Sequence, residues 1–150
     1  MVYVALFITA ELEGLTNLQP RNGFDDPDHP YIFKLKCENC GEISKKPSCV
    51  SLSEQVPLPN GRGTVQMIQK CKLCDREGTV KIISGQGKPL TEFHGQNRQH
   101  VQLVIFDCHG LSPVEFSFGG QWKAESTKSK TTFEIDLSRG EFADYDEDGV

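Results

Sequence analysis

Two Cys-x-x-Cys pairs, Cys37-Glu38-Asn39-Cys40-Gly41 and Cys71-Lys72-Leu73-Cys74-Asp75, are the strongest constraint on how this chain can fold. Thirty residues separate Cys40 from Cys71. Two thiolates three residues apart on a tight turn supply one edge of a tetrahedron, and a zinc ion takes four soft ligands in that geometry. The two pairs together make a complete donor set, so the fold is expected to bring residues 37–40 and 71–74 to one point. A four-cysteine site leaves no open position for water or substrate, which points to a structural rather than a catalytic zinc. Gly41 is expected to let the backbone approach a sulfur closely, and Asn39 to tolerate the turn.

The redox setting supports this reading. Six cysteines could form three disulfides in an exported chain. The apolar start, Met1 to Ala10, has no basic residues before it and runs at once into Glu11 and Glu13, so it does not read as a signal peptide. It is also too short to cross a membrane. A reducing compartment, the cytoplasm with the nucleus as an alternative, is therefore expected, and there paired cysteines favour metal over disulfide.

Between the cysteines and around them, the chain reads as strands. Val2, Val4, Leu6, Ile8, Ala10 and Leu12 form one apolar face of a period-2 pattern, which predicts a half-buried strand over residues 2–13. Further strands are expected at Tyr31 to Lys36, Thr64 to Lys70, Thr79 to Ile83, His100 to Cys108 and Thr131 to Leu137, with Asn60-Gly61 as a hairpin turn. Residues 20–30 and 85–99 read as loops. No long 3.6-residue apolar period occurs. The prediction is one all-β domain over residues 1–150, with two packed antiparallel sheets and an acidic tail over residues 141–150. A length of 150 residues suffices for a real core, so a metal would act locally.

Residues 8–18 can be set over residues 104–114. Ile8 then meets Val104, Ala10 meets Phe106, Glu11 meets Asp107, Leu12 meets Cys108, and Gly14-Leu15 meets Gly110-Leu111. Two amphipathic strands can resemble each other by chance, but the alignment suggests two halves related by a pseudo-two-fold axis. Only the first half would then carry cysteine pairs.

The remaining chemistry-bearing residues form no second constellation. Cys108 falls at the inward position of its strand and is expected in the core, where a thiol is inert. Cys49 is expected in the core or free. His29, His94, His100 and His109 lack metal-ligand spacing, and His109 should point away from Cys108. Asp144 to Gly149 imitates the opening of a calcium loop but lacks the glutamate at the twelfth position. From Phe33 to Lys81 there are nine Lys and Arg against five Asp and Glu, while the chain as a whole carries −5. A zinc tetrathiolate has formal charge −2, which Lys34, Lys36, Lys70 and Lys72 would offset. Lys45, Lys46, Arg62 and Arg76 could do the same or face a partner. The sequence pI near 5.4 argues against nucleic acid.

Residues 36–44, Gly61-Arg62-Gly63, residues 69–74 and Arg76-Glu77 resemble the eukaryotic CXXC motif-containing zinc-binding protein family. So do Gly14-Leu15-Thr16-Asn17-Leu18, Gly110-Leu111-Ser112-Pro113-Val114 and Asp144-Tyr145-Asp146. The resemblance spans nearly the whole chain and implies one β-rich domain, zinc on Cys37, Cys40, Cys71 and Cys74, and no defined enzymatic activity.

The expected function is that of a monomeric, non-enzymatic module that engages another protein. A metal-handling protein with exchangeable zinc is the alternative. A thiol oxidoreductase is a second alternative, although the βαβ pattern and helix N-terminus that activate such a cysteine pair are not evident.

Overall fold

Alternation of apolar and polar residues marks several of the strands in the computed structural model, which describes residues 2–59, 61 and 63–137. The chain runs β1 (Val2–Ile8), β2 (Leu15–Pro20), β3 (Tyr31–Cys37), β4 (Ser48–Val50), β5 (Val56–Pro57), β6 (Thr64–Val65), β7 (Met67–Lys70), β8 (Glu77–Ile83), α1 (Glu92–Gln96), β9 (Val101–His109), β10 (Leu111–Ser117), β11 (Trp122–Ser126) and β12 (Thr132–Ile135). The expected all-β architecture of packed antiparallel sheets is what forms. It is divided into a four-stranded sheet β1-β9-β8-β7, two three-stranded sheets β10-β3-β4 and β12-β11-β2, and the hairpin β5-β6. The core lies between the sheets, where Phe33, Leu35, Val80, Phe106, Trp122 and Ala124 are buried.

Several expectations change in detail. The first strand stops at Ile8 instead of residue 13, after a register shift between Leu6 and Phe7. Ala10 and Leu12 still pack on the core, but there the chain lies against Gly95 of α1, whose backbone approaches the Ala10 carbonyl. The expected loop over residues 85–99 contains that helix. Thr91 caps it by accepting from the His94 backbone N–H at 3.2 Å, and the His94 ring accepts from the Thr91 N–H at 3.0 Å. The strand expected over residues 64–70 is split at Gln66, whose side chain accepts from the Ile82 N–H at 2.7 Å. Strands β2, β4, β10 and β11 were not foreseen. Asn60, Arg62 and the acidic tail with its calcium-like motif lie outside the described residues.

The strand pairings follow a two-fold pattern. β1 pairs with β9 antiparallel, and the sheet β10-β3-β4 corresponds in order to β2-β11-β12. Exchanging β1 with β9, β2 with β10, β3 with β11 and β4 with β12 maps this framework onto itself. Gly14 and Gly110, which the sequence alignment superposes, both have φ +72. Among the described residues, strands β5 to β8 and α1 have no counterpart; they lie between the halves, and their β7–β8 turn carries Cys71 and Cys74, so the first half alone does not hold both cysteine pairs as expected.

Candidate metal centre

The first cysteine pair sits where β3 ends, and the second sits in the turn of the β7–β8 hairpin. Both loops are built the same way. The Cys37 N–H donates to the Glu42 carbonyl and the Gly41 N–H donates back to the Cys37 carbonyl, each at 2.8 Å. The Cys71 N–H donates to the Arg76 carbonyl at 2.8 Å and the Asp75 N–H to the Cys71 carbonyl at 2.9 Å. Each loop needs a left-handed residue after its second cysteine: Gly41 has φ +80 and Asp75 has φ +63. A Cβ at Gly41 would meet nothing within 4 Å, so glycine serves the backbone conformation there and not, as expected above, close approach to sulfur. Asp75 shows that a short polar residue also adopts the conformation.

The fold presses the two loops together. All four Sγ atoms of Cys37, Cys40, Cys71 and Cys74 lie within 4.8 Å of one another. The contacts Cys37–Cys74 and Cys40–Cys71 cross between the loops at 3.6 Å each. A disulfide would need about 2.05 Å. Zinc–sulfur bonds of about 2.3 Å set the corners of a tetrahedron about 3.8 Å apart, so the donor set has the size and composition for such a cation. Cys37 and Cys71 are buried, Cys74 is half-buried and Cys40 is exposed.

Local hydrogen bonds already differentiate the thiols. The Asn39 side chain reaches across to Cys74 and, with the Arg76 backbone N–H, lowers that thiol to about 6. At Cys40 the Glu42 backbone N–H has a lowering effect. Lost hydration and the thiols of Cys71, Cys37 and Cys74 outweigh it and push the group up to about 12. Four sulfurs this close cannot all ionise unless a cation offsets their repulsion. The centre is also tied to the second half: the Glu38 N–H donates to the Gly110 carbonyl at 3.0 Å, and Ser112 donates to the Glu38 carboxylate.

The other singled-out residues stay apart. Cys108 is buried in β9 as expected, and burial pushes its thiol up to about 12. Cys49 is exposed on β4 rather than in the core, and all six cysteines are free of disulfides. Lys34 reaches Glu115 at 3.8 Å, so at least one flanking lysine has another partner. His109 is exposed and lies 3.7 Å from Asp107. His29 is wholly buried, with no hydrogen-bond partner for either ring nitrogen among the described residues. Among the described residues, no helix is long and apolar enough to cross a membrane.

Similarity to known proteins runs the length of the chain. The profile of the family described as "CXXC motif containing zinc binding protein, eukaryotic" matches residues 5–150. A human CXXC motif containing zinc binding protein is 41% identical over 145 residues, covering 96% of this chain and 87% of the relative. The crystal structure of C1orf123 superposes with a TM-score of 0.86 at 39% identity, covering 97% of this chain and 89% of that one. A hypothetical protein from Plasmodium falciparum shares the fold, with a TM-score of 0.78 at 20% identity over 97% of this chain and 88% of its own.

Proposed function

The chain belongs to the eukaryotic CXXC motif containing zinc binding protein family, and on that premise we propose that Cys37, Cys40, Cys71 and Cys74 hold one structural Zn2+ in a protein-interaction or regulatory module without enzymatic activity. One observation supports the reading: two loops from distant parts of the chain bring four sulfurs within 4.8 Å of one another, with two cross-loop pairs at 3.6 Å. Bound there, zinc supplies a cross-link between the end of β3 and the β7–β8 turn. The backbone of both loops pre-sets the sulfurs, and Asn39 favours the thiolate form of Cys74. With all four corners taken by sulfur, no position is left for a reacting water. Six free thiols suit a reducing compartment such as the cytoplasm. The expected partner is another protein, and the chain itself is expected to be a monomer.

A second reading, exchange of metal with other carriers, draws on the exposure of Cys40 and the partial exposure of Cys74. Native mass spectrometry of affinity-captured full-length protein separates the possibilities. A structural site predicts one zinc per chain, retained through exposure to a mild competing chelator, with co-captured protein partners. Rapid transfer of the zinc favours the handling role, and capture of a metal-free chain contradicts both.

A further inference from the structure

The second half contains a loop with the same architecture as the two cysteine loops. Its sequence, Ser126-Thr127-Lys128-Ser129-Lys130-Thr131, has hydroxyls where they have thiols. The Ser126 N–H donates to the Thr131 carbonyl at 2.8 Å and the Lys130 N–H to the Ser126 carbonyl at 3.0 Å, the pairing seen at Cys37 and Cys71. Lys130 has φ +61, at the position held by Gly41 and Asp75. The side-chain pattern is also kept. In the cysteine loops the second thiol accepts from the backbone N–H two residues on, from Glu42 at Cys40 and from Arg76 at Cys74. Here Ser129 Oγ accepts from the Thr131 N–H at 3.3 Å. Ser126 Oγ accepts from the Lys128 and Ser129 N–H groups, both at 3.2 Å.

The two-fold framework puts this loop where a second metal loop belongs. Ser126 ends β11 as Cys37 ends β3, and both are buried. The Glu38 N–H bonds the Gly110 carbonyl, and at the equivalent position the Thr127 N–H bonds the Gly14 carbonyl at 2.9 Å. Gly14 and Gly110 are themselves the superposed pair.

We infer that the Ser126–Thr131 loop is a latent metal-binding loop in which Ser126 and Ser129 occupy the ligand positions. It becomes a site for a thiophilic divalent cation when two sulfurs are introduced, and in the present chain it is closed by hydroxyl hydrogen bonds. The inference rests on the reading that the cysteine loops bind metal. Its functional consequence is asymmetry: metal availability acts on the Cys37/Cys71 end of the molecule, while the corresponding end of the second half keeps its shape without metal.

The test is cadmium titration of the full chain and of its Ser126→Cys/Ser129→Cys variant, followed by the cadmium–thiolate absorption. The expected result is one equivalent for the parent and one additional, weaker equivalent for the variant, with about half the absorbance change because two sulfurs contribute instead of four. No additional equivalent, or an equal gain in a wrongly spaced Thr127→Cys/Ser129→Cys variant, overturns the inference. A parent that binds none refutes instead the reading of the cysteine loops. Hydrogen exchange on the unmutated chain gives an answer even if the variant does not fold. On metal removal, the amides of Cys37, Gly41, Cys71 and Asp75 should lose protection while those of Ser126, Ser129 and Lys130 keep it, and equal loss in all three loops contradicts the proposed asymmetry.

Discussion

Replacing Cys71 with serine is expected to lower the unfolding free energy by at least about 4 kcal/mol when free zinc is ample, the linkage value for a ligand present at about a thousand times its dissociation constant. Cys71 is buried at the mouth of the β7–β8 hairpin and lies 3.6 Å from Cys40 of the other loop. Serine offers a harder, protonated oxygen in place of a thiolate, so it breaks the four-sulfur set and leaves three crowded sulfurs facing each other. The loss reaches the whole fold, because β3 and β8 carry Phe33, Leu35, Val80 and Ile82 of the one shared core cluster. Urea unfolding in a zinc-buffered medium measures it. Cys49→Ser is the matched control, since that residue is exposed on β4 and outside the cluster, and it should leave the midpoint unchanged. Coincident transitions for the parent and the Cys71 variant would contradict the proposed role of the site.

The second large effect concerns acid. His29 is 1% exposed, and its ring packs edge-on against Tyr31 and Trp122 at centroid distances of 5.0 Å. Burial lowers its pKa from 6.5 to about 4, with Asp26 opposing the shift and Arg21 assisting it. The neutral ring is therefore the form the fold accepts. In the unfolded chain the ring takes up its proton near pH 6.5. Stability contributed by this group is complete above that pH and is lost progressively as pH falls towards 4, where the folded form also protonates. The loss amounts to about 3 kcal/mol. His29→Phe keeps a ring in the slot and removes the titration. Its stability relative to the parent should rise by about that amount between pH 7 and pH 4. At pH 7 the variant should be no less stable, because two unpartnered ring nitrogens have gone. Acid release of metal affects parent and variant alike, so the difference between their urea midpoints isolates the histidine. Parallel acid limbs would show that His29 is solvated or partnered in solution.

How much was legible in the sequence follows from which interactions are local. The cysteine loops were readable because each is closed by hydrogen bonds within six residues, and their meeting could be inferred from donor count alone. Strands β1, β3, β8 and β9 declare themselves by alternation. β2 and β10 do not: Asn17 and Glu115 take left-handed conformations, with φ +57 and +50, and interrupt the period, while Pro113 lies inside β10. β11 is five residues, Trp-Lys-Ala-Glu-Ser, and is a strand because β2 and β12 flank it. Helix α1 is little more than one turn and has no apolar period. The internal repeat was visible at the glycines. Its continuation at Ser126 was hidden, because a Ser-x-x-Ser pair is not distinctive and the spacing from glycine to loop differs between the halves. The two-fold relation became traceable once the pairings β10–β3 and β2–β11 were known.

The central claim is that four sulfurs and no other atom hold the metal. X-ray absorption at the zinc edge of the purified, metal-loaded protein measures this directly. The account predicts a first shell of four sulfurs at about 2.3 Å with no oxygen or nitrogen scatterer. A shell of three sulfurs or fewer with a light atom at about 2.0–2.1 Å would mean an open site, and would contradict the closed structural centre built from Cys37, Cys40, Cys71 and Cys74.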